Sequence, residues 1–249
     1  MTVLVGLNLG THVIVISDTR ATAVDPRAFK TPFRDNACKR YFSDNAVTVY
    51  TGVRSISEKI SEVVENISIE SHDGLAGAIE SVKKTSWEYE YEPRLFDKVG
   101  MISAINNDNS VELIYHNLGR FSNDGVVRRS GAVEPGKVCI SYPGTITVQE
   151  SELLNSRLQE VLDVFIAKYE GRLDPKVAPE LAELALPVGR ILAELAESKP
   201  EISSIFDFGV KSSTGLTMSG QIDFSSMVKF EVAEVKNGKT LSDDHELKL

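Results

Sequence analysis

The chain has 249 residues, 42% hydrophobic and 25% charged, enough for one large core and incompatible with wholesale disorder. A formal charge of −9 and an isoelectric point near 5.1 argue against a nucleic acid or an anionic membrane as partner, since either would call for a basic stripe. No run nears the ~20 apolar residues of a membrane helix, and no basic-then-apolar signal segment opens the chain.

Residues 2–9 and 12–17 are β-branched and apolar, meet at Gly10-Thr11, and read as a hairpin. "DPRAFKTPFRDN" (25–36) carries two prolines and mixed charges and reads as a loop. Lys39–Phe42 and Ala46–Thr51 follow as strands around Ser43-Asp44-Asn45, the second ending at Gly52. The period then changes. Ile56, Ile60, Val63, Val64 and Ile67 share one helical face up to His72-Asp73-Gly74. A second helix over 75–91 carries Leu75, Ile79, Val82 and Trp87.

"VGMISAINNDNSVELIYHNLG" (99–119) reads as two strands around Asn106–Asn109, and "KVCIS" (137–141) as another. Past Pro143-Gly144 a long helix aligns Leu153, Leu154, Leu158, Val161, Leu162 and Phe165. A further helix over 175–197 aligns Leu181, Leu184, Val188, Ile191, Leu192 and Leu195, with Pro187 expected to kink it. Strands near 204–210 and 227–235 close the core, and "KNGKTLSDDHELKL" reads as a polar, frayed tail. The expectation is a single domain over 1–249, with a folded core over about 2–235 and a tail over 236–249. Strands, two helices, strands, two helices and strands, in that order, fit an α+β fold. Two stacked antiparallel sheets flanked by helix pairs, a four-layer αββα sandwich, would bury every element.

Cys38 and Cys139 fit a reducing compartment and have no C-x-x-C spacing, and His12, His72, His116 and His245 are scattered. No metal and no cofactor is expected, and the expected location is cytoplasmic. A second-position threonine, an "SDTR" strand end or a lone strand lysine each has a bland reading as ordinary strand or surface chemistry. Their order along the chain is more specific.

"TVLVGLNLGTHVIVISDTRAT", "DNACKRYF" and "VTVYTGV" resemble the opening of a proteasome-type β subunit, as in the bacterial proteasome-like and Anbu-like threonine peptidases of the N-terminal nucleophile (Ntn) hydrolase superfamily. The resemblance implies the αββα Ntn hydrolase fold and, position by position, catalytic roles for Thr2, Asp18, Lys39 and Gly52. The loop between Asp18 and Lys39 is longer than in typical members. An N-terminal threonine carries nucleophile and base on adjacent atoms. Its α-amino group titrates near ~7.7–8.0, so part of it is neutral at pH 7 and can take the hydroxyl proton. In this reading Lys39 favours the deprotonated hydroxyl, Asp18 holds the Lys39 ammonium, and Arg20 extends the charge network. The Gly52 N–H would donate to the tetrahedral oxyanion.

Later positions match less closely. "ISYPGT" offers Ser141 or Thr145 to support the amine, with Pro143 in the expected place. "ESKPEISSIFDFG" offers Ser203, but no Asp at the family distance, leaving Glu201 as a stand-in. The resemblance further implies a substrate pocket with Tyr50 and Arg54, though Tyr50 also suits the core, and main-chain pairing of an extended peptide with Ala21 and Thr22 beside Arg20. Cys38, next to Lys39, faces the other way by strand alternation.

The function expected from this resemblance is hydrolysis of peptide bonds by Thr2 after Met1 removal, with no propeptide. Substrates would be peptides or unfolded proteins, and copies would self-associate into a ring or spiral. Any ATPase unfoldase would be a separate partner, because the chain has no phosphate-binding loop. The competing readings are an inactive scaffold subunit of the same fold and an Ntn amidase acting on small amides.

Overall fold

The opening apolar run folds as the expected hairpin, β1 (Leu4–Asn8) and β2 (His12–Asp18), paired from Leu4↔Ser17 to Asn8↔Val13. The computed structural model describes residues 2–22, 33–34, 37–42, 45–52, 56–57, 59–60, 62–63, 77, 80–82, 84–85, 99–107, 110–117, 130–142, 146–169, 178–215, 217–223, 233–236 and 239–242. Both strands are buried along their whole length, which explains why they read as near-continuous apolar runs. Val3, Val5, Leu7, Ile14 and Ile16 face one apolar cluster, while Leu4, Val13 and Val15 face another.

The remaining strands are β3 (Ala21–Thr22), β4 (Phe33–Arg34), β5 (Arg40–Phe42), β6 (Ala46–Thr51), β7 (Gly100–Asn107), β8 (Ser110–Asn117), β9 (Ser130–Val133) and β10 (Val138–Ser141). Beyond two helices, α1 (Val148–Tyr169) and α2 (Ala178–Ser198), come β11 (Ile205–Ser212), β12 (Thr217–Asp223), β13 (Ala233–Lys236) and β14 (Lys239–Ser242). They form a seven-stranded sheet in the order β10-β1-β2-β11-β12-β13-β14 and a five-stranded sheet in the order β5-β6-β7-β8-β9, all neighbours antiparallel. β3 and β4 make a separate two-stranded ribbon.

The two sheets stack. Leu4, Val13 and Val15 of the first meet Val47, Val49, Ile102, Ala104 and Leu113 of the second in an apolar layer. Outside the first sheet, Leu158, Leu162, Leu184 and Leu192 of α1 and α2 cover Val5, Ile16, Phe206 and Phe208. Outside the second, the helical residues Ile56, Ile60 and Val82 cover Tyr50, Met101 and Ile114. Helix, sheet, sheet, helix: the architecture is the α+β sandwich expected from element order. The sheets approach so closely that a Cβ on Gly209 would lie 2.2 Å from Val47 Cγ1, so only glycine fits there.

Several sequence expectations need correction. The loop read over 25–36 contains strand β4, because Phe33–Arg34 pairs with Ala21–Thr22. β9 and β12 were not expected as strands. Of the strand read over 227–235, the end stands in β13, and residues 227–232 lie outside the described residues. The tail read over 236–249 is ordered at 239–242, where β14 pairs with β13. Leu153 is 63% exposed, since Leu154, its neighbour ~100° round the helix, occupies the centre of the stripe. The helix read over 175–197 stands as α2, which includes Pro187, whose missing N–H removes one helical bond. Val64, Ile67, His72-Asp73-Gly74, Leu75, Ile79 and Trp87 lie outside the described residues.

α1 starts with a capping box. The Glu150 N–H donates to Thr147 Oγ1 at 3.2 Å, and the Thr147 N–H donates to Glu150 Oε2 at 2.7 Å. Hydrogen bonds from Lys199 and from the Thr147 amide hold the Glu150 carboxyl down to about 2 from its ordinary 4.5. A depressed carboxyl stabilises the fold above its unfolded value and loses that contribution as pH falls toward its folded one. Glu150→Gln is therefore expected to melt below the native chain at pH 7, and the gap should close between pH 4.5 and about 2 in a series of thermal melts.

Candidate active site

The β1–β2 register carries the chain start to the end of β2. The Asp18 N–H donates to the Val3 carbonyl at 3.4 Å, and the Val3 N–H donates to Asp18 Oδ2 at 3.0 Å. Thr2 is thereby fixed beside Asp18 and is only 2% exposed. From the next strand, the Ile205 carbonyl accepts from the Thr19 N–H at 3.0 Å. The second sheet supplies the cation. Lys39 directly precedes β5, and its carbonyl accepts from the Tyr50 N–H at 3.0 Å.

Lys39 Nζ reaches three acceptors at once: Thr2 Oγ1, Asp18 Oδ1 at 3.3 Å and the Arg20 carbonyl at 2.5 Å. An ammonium has three protons and no lone pair, so toward each of these acceptors Lys39 can only donate. Both Asp18 oxygens are also used, because Oδ1 accepts from the Arg20 N–H at 2.9 Å and Oδ2 from Val3. Asp18 has no solvent exposure. Burial pushes its carboxyl above the ordinary range, against the opposing pull of the Lys39 charge and of the Arg20 and Val3 amides.

Other expected residues fall around this cluster. Arg20 sends its guanidinium to the Pro200 carbonyl, tying the Asp18 turn to the segment after α2. Ser203, in that segment, accepts from Thr19 Oγ1 at 3.3 Å and from the Ile205 N–H at 3.0 Å, so it contacts the residue next to Asp18. Glu201 sits half-buried in the same turn. Ser141 lies across the sheet from Leu4 and is 7% exposed. Gly52 directly follows β6 with φ +104°, a left-handed conformation that favours glycine, and is exposed. Ala21 and Thr22 form β3, paired with Arg34 and Phe33.

Tyr50 sits opposite Lys39 on β6 but packs in the apolar cluster with Ile56, Ile60 and Val82, its hydroxyl donating to the Cys38 carbonyl at 3.2 Å. Cys38 itself is exposed. Arg54 and Thr145 lie outside the described residues. Asp207 and Arg40 were missed by sequence reasoning, although they flank the same lysine. The available signal was "FDF" in β11, an acid between two core phenylalanines.

Fold and site together define a four-layer α+β protein with a buried Thr–Lys–Asp cluster at one end of its stacked sheets. Among solved structures, the eukaryotic HslV from Trypanosoma brucei is similar to this chain, covering 84% of it and 99% of its own length, at 13% identity and a TM-score of 0.48. No protein-family model matches the chain, and no curated protein does. Among the described residues, no helix is long and apolar enough to cross a membrane.

Proposed function

We propose that this chain is a threonine-type peptidase of the Ntn hydrolase superfamily, with Thr2 as nucleophile once Met1 has been removed. The observation that carries this reading is the contact of one buried ammonium, Lys39, with Thr2 Oγ1 and Asp18 together. That ammonium spends its protons as donors and has no lone pair for the Thr2 proton. The base must come from elsewhere, and the freed α-amine of Thr2 is the group held there by covalent geometry.

Thr2 Oγ1 then attacks the substrate carbonyl carbon while its proton passes to the α-amine. The Lys39 charge stabilises negative charge growing on the threonine oxygen and disfavours premature protonation of the amine. The Gly52 N–H receives the oxyanion, a donor of a kind whose loss typically costs ~2.7–4 kcal/mol of barrier. Collapse breaks the C–N bond, the amine's proton leaves with the departing amino group, and an ester on Thr2 remains. Water, deprotonated by the same amine, hydrolyses that ester and restores the hydroxyl. Extended substrates would pair with the main chain of Ala21 and Thr22. Copies of the chain would enclose these sites in a ring or spiral, with any unfoldase a separate partner.

The test is intact mass of the purified protein before and after a peptide epoxyketone, which needs both hydroxyl and free amine. The expected result is a chain lacking Met1 that gains one inhibitor mass, mapped to Thr2. A chain that keeps Met1, or one that starts at Thr2 and gains no adduct, overturns the proposal and leaves the scaffold reading.

A further inference from the structure

Asp207 lies under the Thr2–Asp18–Lys39 cluster without belonging to it. Along β11, Phe206, Phe208 and Val210 face the helices, while Gly209 meets Val47 of the opposite sheet, so Asp207 shares that inner face. It is 1% exposed. Its Oδ1 accepts from Gln221 Nε2 at 3.1 Å and lies 3.8 Å from Arg40 Nη1. Arg40 also donates to the carbonyls of Phe208 at 3.4 Å and Gly220 at 2.5 Å.

These contacts matter because of where β5 sits. Among the described residues it is the edge strand of its sheet, with β6 as its one ladder neighbour. Tyr50 holds the Lys39 carbonyl from that side. Across the gap between the sheets, Asp207 pairs with the guanidinium of the next residue, Arg40, which also donates to carbonyls of β11 and β12. The peptide unit that aims Lys39 at Thr2 is thus gripped from two sheets. The grip is made by an acid that the core does not fully satisfy. Among the described residues Asp207 Oδ2 is buried with no hydrogen-bond partner, and so is Ser17 Oγ, which lies opposite Asp207 in the β2–β11 register. A half-satisfied buried carboxylate calls for an explanation other than stability, since well-packed apolar residues usually serve stability as well.

We propose that Asp207 is a positioning residue for Lys39, clamping the edge strand β5 to β11 so that the ammonium reaches Thr2. Its consequence for catalysis rests on the threonine-peptidase reading; its mechanical part does not. A displacement near 1 Å at a reacting group can cost ~10²-fold in rate, so a loosened β5 should be visible in turnover.

Two variants of the full chain test this. Asp207→Asn keeps shape and one acceptor while removing the charge, and Asp207→Ala removes both. Amide hydrogen exchange should quicken over 37–42 in both variants and stay unchanged over 46–51. On a fluorogenic peptide, kcat of the folded protein should fall roughly 10–100-fold with KM within about two-fold. A merely structural role would lower the melting temperature and leave kcat per folded molecule alone. Native exchange over 37–42, or native kcat in the folded variants, overturns the proposal. Should the native chain form no Thr2 adduct, the peptidase reading fails, and the exchange measurement alone decides whether Asp207 holds the strand. If Asp207→Ala does not fold, the isosteric Asp207→Asn decides.

Discussion

Thr2→Ala is expected to leave the fold intact and to remove peptide turnover and epoxyketone labelling, with a loss of ~10⁴-fold or more. The fold should survive because the hydroxyl contributes little to the core. The apolar contacts of this segment come from Val3, Leu4, Val5 and Leu7, and Asp18 is held through the Val3 amide. The substitution removes one of the three acceptors on Lys39 and leaves Asp18 and the Arg20 carbonyl in place. A buried ammonium with two acceptors, one of them charged, should stay paired. Circular dichroism melts should therefore nearly coincide for the two proteins. Thr2→Ser, which keeps hydroxyl and amine together, should retain labelling. Equal turnover in Thr2→Ala would show that the reaction does not pass through this oxygen.

The residues proposed for these roles stand in a legible order because local rules place them. Thr2 leads into β1, Asp18 ends β2, Lys39 directly precedes β5 and Gly52 directly follows β6. Hairpin pairing alone is enough to bring Val3 beside Asp18. Much else depends on tertiary context. β9, "SGAV", is four residues with one β-branched side chain, and it is a strand only because β8 pairs with it. In β12 Gly220 interrupts the face that Met218 and Ile222 share, and Ser219 and Gln221 face the other way, so the apolar alternation is diluted. Asp207 is the same problem in the site itself. "FDF" tells that an acid points opposite two phenylalanines, but which cation meets it depends on how two sheets separated by some 170 positions come together.

Lys39→Met should have the largest effect on stability, and its pH dependence is diagnostic. The substitution keeps length and apolar bulk but removes the cation from Asp18, which has no solvent exposure. Breaking a buried pair from one side typically costs ~3–5 kcal/mol, because an uncompensated charge is left inside. Turnover should vanish as well, since nothing then favours the deprotonated Thr2 hydroxyl. The sign follows from the carboxyl. Burial already raises Asp18 above its ordinary 3.8, and the Lys39 charge is the largest influence opposing that rise, so losing it lifts the carboxyl further. An acid raised in the folded state penalises folding most above its folded value, and the penalty fades as pH falls toward 3.8. The stability gap between Lys39→Met and the native chain, from denaturant titrations at stepped pH, should accordingly narrow on acidification. Lys39→Met combined with Asp18→Asn should recover most of the lost stability at pH 7, because no charge is stranded, while turnover stays absent. If the single variant is as stable as the native chain at pH 7, the Lys39–Asp18 pair is not the buried, coupled pair on which the proposed chemistry depends.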